Sequence, residues 1–230
     1  MRRAWTIPAI SLIFLAACGG EPEAQPRRSD GTPLVTALAS PTGPASLDIR
    51  AGRLAAARTT LEGLLSADPD AVSALNDLAV TYSIEERFDA ARQLLEEVLV
   101  RGGARDQQSA LLNLGELYAV DGYLAAAQAH LASARAIDPT RSEPSYALAL
   151  LADARGDPAG AAAALRDALD ADRTGVARRA LTFVYPEERL HLEALVAEAS
   201  GDAAGAEARW RELARGRFRV LAQAAQRHLE

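Results

Sequence analysis

The stretch LLNLGELYAVDGYLAAAQAHLASARAIDP, residues 111–139, decides the fold of this chain. Leu114-Gly115 and Tyr118 come first at helical spacing, Gly122 follows, and Asp138-Pro139 ends the stretch. Apolar and small residues at this spacing predict two amphipathic helices that meet at a glycine turn and end before a proline.

The same pattern recurs on both sides of this stretch. The copy before it contains Leu78-Ala79 and Tyr82, and its pattern ends at Gly103, 34 residues after Pro69. Gly103 to Pro139 is 36 residues, so we expect a two-residue insertion in a loop around residues 102–106.

Weaker copies extend the pattern towards both ends. A fourth ends at Asp172, and a fifth begins after Pro186, displaced by an insert around residues 176–184. Residues 52–69 form a convincing second helix, but Pro41 and Pro44 interrupt the helix that should precede it. The array is therefore expected to begin with a half-repeat.

Residues 111–139 resemble the tetratricopeptide repeat at nearly every signature position. The resemblance implies an all-α fold, a right-handed α-solenoid of about five helix-turn-helix repeats over residues 45–230. A capping helix is expected at residues 218–229. Turns that need a positive φ are expected at the repeat glycines, namely Gly52, Gly122, Gly156 and Gly201.

The chain begins with a different pattern, in which Arg2 and Arg3 precede a short apolar run that ends in Leu15-Ala16-Ala17-Cys18. This run resembles the lipobox of bacterial lipoproteins. The resemblance implies that residues 1–17 are a cleaved signal peptide and that Cys18 is lipidated. The alternative is an ordinary signal peptide, or an uncleaved anchor, with a chance cysteine.

The same resemblance predicts the location of the protein. Gly19 stands where an aspartate would favour retention in the inner membrane. We therefore expect a cell-envelope protein, lipid-anchored at the periplasmic face of the outer membrane. Residues 18–44 are rich in proline and glycine and are expected to form a flexible tether.

Composition excludes some classes of partner. The chain carries 25 basic and 31 acidic residues, which disfavours binding to nucleic acid. All its basic residues are arginines. Repeats of the resembled family that bind acidic chaperone tails use lysine, so that activity is not expected here. Aromatic residues make up only 5% of the chain, which argues against a large sheet.

Catalysis is not expected from the sequence. His130, His191 and His228 are far apart and show no metal-ligand spacing, so neither a metal nor a cofactor is predicted. No small-molecule substrate is expected either. The competing hypothesis is an enzyme with its site in the insert of residues 173–191, where Tyr185 and Arg189 neighbour His191.

The first helices of stacked repeats line a concave groove, which suits a helix or an extended peptide of a protein partner, with basic flanks. The groove positions implied by the resemblance are Asn76, Val80, Ile84, Leu112, Glu116, Val120, Tyr146, Leu150 and Asp153. The alternative is that several of these side chains pack between repeats.

These features together predict a membrane-anchored interaction scaffold or adaptor of the bacterial cell envelope that performs no reaction. A pilotin-like assembly factor for the outer-membrane secretin of type IV pili is the alternative within the same class.

Overall fold

The computed structural model describes residues 31–40 and 42–230. Cys18, the predicted signal peptide and about half of the predicted tether lie outside these residues. Twelve helices occur in the described part of the chain: α1 Pro44–Arg50, α2 Leu54–Ala67, α3 Val72–Ile84, α4 Phe88–Arg101, α5 Ala104–Val120, α6 Leu124–Ile137, α7 Glu143–Ala154, α8 Pro158–Ala171, α9 Val176–Ala180, α10 Pro186–Ala199, α11 Ala203–Leu213 and α12 Arg219–Leu229.

Consecutive helices pack in pairs, as the repeat pattern predicts. The pairs are α1 with α2, α3 with α4, α5 with α6, α7 with α8, and α10 with α11. The short α9 lies in the insert, and α12 packs on α11 and α7 at the end of the array. The described part of the chain is therefore an all-α solenoid of helix-turn-helix repeats with a C-terminal capping helix.

The turns inside the repeats have the predicted conformation. Gly52, Gly122, Gly156 and Gly201 all have φ between 72° and 85°. The second repeat has Glu86 at the equivalent turn, with φ 58°. A left-handed conformation is unfavourable for a residue with a Cβ, which explains why glycine occupies four of these turns.

The two helices of the third repeat approach closely because their contact residues are small. A Cβ atom added to Gly115 on α5 would lie 2.6 Å from Leu131 Cδ2 on α6. Ala127 and Leu131 are both fully buried on α6. The contact between α5 and α6 thus requires side chains that are small as well as apolar.

Two details at the ends of the repeats differ from the sequence-based expectation. Pro44 does not break the first helix but begins it, because proline is tolerated at the first helical position. The extra residues after α4 do not enlarge the loop. The helix α5 begins at Ala104 and is 17 residues long, so the insertion lengthens the helix instead.

The predicted tether also differs in the structure. Residues 31–38, assigned to a flexible segment, are buried against the helices, so the folded domain begins well before residue 45. The segment is Gly31-Thr-Pro-Leu-Val-Thr-Ala-Leu38, which has no charged side chain and three aliphatic ones larger than alanine. Burial of these side chains offsets the entropy that ordering the segment costs.

No helix in residues 31–40 and 42–230 is both long and apolar enough to cross a membrane.

The close contact between α5 and α6 leads to a first prediction. Ala127→Leu should lower the free energy of unfolding by about 1–3 kcal/mol, because a larger side chain overpacks the buried contact. Ala129→Leu on the exposed face of α6 is the matched control and should change stability little. Denaturant titrations of the two variants make the comparison. Equal stability would place residue 127 outside the helix contact.

Candidate functional site

The concave side of the array holds the chain's own residues 32–38. Leu34 and Val35 are 0% exposed, and they pack in the main core cluster with Leu112 and Val120 of α5. Leu38 packs in a second cluster with residues of α1, α2 and α3. The groove in which a partner was predicted to bind is thus filled by an extended segment of the same chain.

Two asparagine side chains bind the main chain of this segment at Ala37. Asn113 on α5 accepts a hydrogen bond from the amide of Ala37 through Oδ1 at 2.9 Å and donates to its carbonyl through Nδ2 at 3.0 Å. Asn76 on α3 donates to the same carbonyl at 3.1 Å and accepts from Asn113 Nδ2 at 2.9 Å. All these groups are buried, where satisfied hydrogen bonds matter most.

Carboxylates bind amides on both sides of Ala37. Asp77 accepts hydrogen bonds from the amides of Ala39 at 2.7 Å and Ser40 at 3.3 Å. Glu116 accepts from the amide of Leu34. These hydrogen bonds are made to main-chain amides and not to side chains. The acidic groups of the groove are therefore engaged by N–H donors.

The insert closes the other side of the segment. Thr36 and Thr182 form an antiparallel bridge, with N–H to O distances of 3.1 Å and 3.0 Å, and the hydroxyl of Thr36 donates to the carbonyl of Thr182 at 2.9 Å. The segment thus lies between α3 and α5 on one side and the insert before α10 on the other.

Among the predicted groove residues, the structure brings five into the neighbourhood of the segment. Asn76 and Glu116 bond it directly, and Leu112 and Val120 share its core cluster. Val80 packs with Leu38, and Ile84 is half-buried at the edge of that second cluster. Leu112 is only 1% exposed. It is a core residue, so an arginine at this position would destabilise the fold.

The remaining predicted groove residues lie further along the array and are covered by the C-terminal helices. Tyr146 and Leu150 are fully buried in the main core cluster. The hydroxyl of Tyr146 donates to Asp172 at 3.2 Å, and burial, followed by the Asp172 charge, raises the pKa of this phenol to about 12. Asp153 contacts α10 and α12, so this half of the predicted groove is closed.

Sequence reasoning missed Asn113, which binds the main chain of the segment at Ala37, and Asp77, which binds the two amides that follow the segment. They occupy the same repeat position, directly before Leu78 and Leu114. A polar side chain there, within a buried helical face, is the signal that could have identified them. Burial raises the pKa of Asp77, and its hydrogen bonds to Ala39, Asn76, Ser40 and Ser46 oppose that change.

Glu116 has a second buried carboxyl beside it, Glu188 of α10. Burial raises the pKa of Glu116 to about 7, against the partly compensating bond from the amide of Leu34. Burial also raises the pKa of Glu188, and the neighbouring Glu116 raises it further. Glu188 accepts bonds from the amides of Val184 and Tyr185, at 2.9 Å and 3.0 Å. Two adjacent buried carboxyls resist double ionisation, so the pair retains a proton near neutral pH.

This pair predicts a pH dependence of stability. A pKa raised on folding, from 4.5 to about 7 for Glu116, gives stability that is fully present below the unfolded value and is lost as pH rises through 7. Glu116→Gln mimics the protonated acid, so it should flatten the decline in the free energy of unfolding between pH 5 and pH 8. The expected difference at pH 8 is on the order of 2 kcal/mol.

Urea titrations at both pH values measure this effect. Glu96→Gln, at an exposed position of α4, is the control, and its free energy of unfolding should change with pH as that of the wild type does. If the free energy of unfolding of Glu116→Gln declines with pH as steeply as that of the wild type, the carboxyl pair does not carry the proton.

Two histidines that are far apart in sequence meet at Asp153. His191 Nε2 lies 2.7 Å from Asp153 Oδ2, and His228 Nε2 lies 2.8 Å from Asp153 Oδ1. His228 Nδ1 is also 3.0 Å from Glu198, and its ring stacks on Trp210 with centroids 4.1 Å apart. The cluster thus joins α7, α10, α11 and the capping helix α12.

The charges of this cluster stabilise each other. Burial acts to lower the pKa of His228, but the bond and charge of Asp153 outweigh it and raise that pKa. Burial acts to raise the pKa of Asp153, but its bonds with His191 and His228 hold it well below the usual range. His191 and Asp153 are inaccessible to a substrate, with side chains 0% and 5% exposed. The cluster is suited to holding the cap in place.

The three insert residues of the competing enzyme hypothesis do not converge. The ring of Tyr185 packs edge-on against Phe218 at 5.1 Å, and Arg217 lies over it. Arg189 lies over Phe183 at 4.9 Å, whereas His191 faces Asp153 and Trp210. Within residues 31–40 and 42–230, no group of three or more His, Cys, Asp or Glu side chains could hold a metal ion.

The Asp153 cluster predicts a stability effect. Asp153→Asn should lower the free energy of unfolding by about 1–3 kcal/mol, because buried His191 and His228 lose their charged acceptor. Guanidinium denaturation of the full chain measures this loss. Asp167→Asn on the exposed face of α8 is the control and should stay close to the wild type. A variant as stable as the wild type would mean that Asp153 does not hold the cap.

Comparison with known families matches residues 48–114 to the tetratricopeptide repeat, which covers α2 to α4 and parts of α1 and α5. Comparison with curated proteins gives no match. Among solved structures, the chain is similar to a crystal structure of MamA, with a TM-score of 0.44 and 20% sequence identity. This similarity covers 82% of the chain and 98% of MamA.

Proposed function

We propose that this protein is an interaction scaffold of the bacterial cell envelope that binds an extended peptide of a protein partner on its concave side. The observation that carries the proposal is the mode in which residues 32–38 are held. Buried side chains on α3 and α5 form hydrogen bonds with the main-chain amide and carbonyl groups of an extended strand. Apolar residues around them pack against the side chains of that strand. These are the two elements of strand-type peptide recognition.

The repeat architecture supports a binding role over a catalytic one. Stacked helix pairs supply a continuous surface rather than a cleft with converging acid, base and nucleophile. Two clusters of titratable groups, Glu116 with Glu188 and Asp153 with two histidines, are buried except for the half-buried His228 and are engaged with other parts of the fold.

The membrane anchor is part of the proposal. The lipobox-like sequence around Cys18 supports lipidation of the mature protein, which would hold the scaffold at a membrane surface. The glycine after Cys18 favours the outer membrane. The lipid would confine the search for a partner to the periplasm and to the proteins of that membrane.

Affinity capture from detergent-solubilised envelopes tests this function. The full-length chain carrying Asn113→Ala should retain at least tenfold less partner than the wild type, because the main-chain contact at the Ala37 position is lost. Gln128→Ala, on the exposed face of α6, is the matched control and should capture as the wild type does. Circular dichroism confirms that each variant is folded.

The outcome separates the forms that the function can take. If the retained partner is an outer-membrane secretin, the protein is a pilotin. Capture that survives Asn113→Ala would move the binding site to the convex face and contradict the groove proposal.

A further inference from the structure

The segment of residues 32–38 is bound to the solenoid without being part of a repeat. It precedes α1 and contributes no residue to any helix. Within residues 31–40 and 42–230, its backbone pairings are those of Thr32 with the carbonyl of Ala119 and of Thr36 with Thr182. The helix hydrogen bonds of the array do not pass through it, so it can leave the groove without unwinding a repeat.

The contacts at Ala37 show what the groove requires of an occupant. Asn113 and Asn76 bind the amide and carbonyl of this residue, which every amino acid except proline presents. Ala37 is itself only 5% exposed, so the space around its Cβ admits a small side chain alone. Position 37 therefore selects for size and not for a functional group.

The contacts at Leu34 and Val35 add a second requirement. Both side chains are 0% exposed within the main core cluster, which also contains Leu112, Leu181 and Tyr185. A charged side chain at either position would be buried without a partner, at a large cost in free energy. The occupant must therefore be aliphatic at these two positions.

The charges of the groove do not call for basic residues in the occupant. Of the nearest acidic groups, Glu116 already accepts a hydrogen bond from the amide of Leu34 in the segment, and Asp77 accepts from the amides of Ala39 and Ser40 that follow it. An uncharged extended peptide satisfies both of them. The expectation of basic flanks is thus replaced by one of an uncharged, backbone-bound strand.

We propose that residues 32–38 are an internal stand-in for the partner, and that the partner displaces them with a strand of the same chemistry. This strand is an extended stretch of about seven uncharged residues, with aliphatic side chains at the Leu34 and Val35 positions and a small one at the Ala37 position. The inference rests on the proposed function, because it specifies what the groove binds there.

Displacement has a quantitative consequence. A tethered competitor has an effective concentration on the order of millimolar, so the internal segment weakens the apparent affinity for an external strand of similar quality about a thousandfold at micromolar intrinsic affinity. Weak binding by the wild-type chain and strong binding after release of the segment are therefore both expected.

Native-state hydrogen exchange of the full-length wild-type protein tests whether the segment opens on its own. The amides of Leu34 and Ala37 should exchange at least tenfold faster than the amide of Leu114 in the middle of α5, since they need only local release. Exchange of all three at one rate would show that the segment opens only when the whole domain unfolds, and would overturn the inference. That result leaves a partner site elsewhere on the scaffold possible.

Peptide binding tests the chemistry of the occupant. The probe is a fluorescein-labelled synthetic peptide with the sequence GTPLVTALAS, residues 31–40. Fluorescence anisotropy should show it binding the full-length Val35→Asp variant at least tenfold more tightly than the wild type, because the aspartate expels the internal segment. A second peptide with arginine in place of Ala37 is the matched control and should not bind.

A second variant keeps the test valid if Val35→Asp does not fold. Ala37→Arg also blocks the internal segment but leaves the helices unchanged, and it should bind the wild-type peptide equally well. Circular dichroism and a cooperative melt establish that each variant is folded. If a folded variant binds no peptide, the stand-in inference fails.

Light scattering of a mixture of variant and wild type tests for a second copy as the occupant. The mass of a dimer would identify a second copy and would equally contradict the stand-in inference.

Discussion

A pair of helices cannot cover its own apolar face, and the whole structure depends on this constraint. Between neighbouring repeats the face is covered by the next pair of helices, and within the third repeat the close approach of α5 and α6 requires small residues such as Gly115 and Ala127. On the concave side the cover differs along the array. There the apolar surface of α3 and α5 is covered by residues 32–38, and that of α7 by α10 and α12.

An extended strand differs from a helix in how it covers an apolar surface, because its main-chain groups need hydrogen-bond partners from outside the strand. The solenoid supplies them with side chains, and this explains the buried polar residues in the middle of α3 and α5. Asn76, Asp77 and Asn113 would be costly in a purely hydrophobic groove. Beside an extended backbone, each one satisfies donors and acceptors that would otherwise be buried unpaired.

Polar groups are used differently at two sites along the array. Around Leu34, two carboxyls are buried together, which makes the contact sensitive to proton concentration near neutral pH. Around Asp153, one carboxylate is shared by two imidazoles, and opposite charges stabilise the arrangement. The first site is suited to a contact that can be released, whereas the second holds the cap in place.

The sequence by itself determined the helical repeat, its glycine turns and the capping helix, because these follow from local spacing and backbone preference. Chemistry at Cys18 was likewise an inference from local sequence, and it lies outside the described residues. Only the tertiary structure decided that residues 32–38 fill the groove and that His191 and His228 meet at Asp153. These contacts join residues 38 to 146 positions apart, so no local pattern records them. A proline-containing aliphatic stretch reads as a tether until the surface that buries it is known.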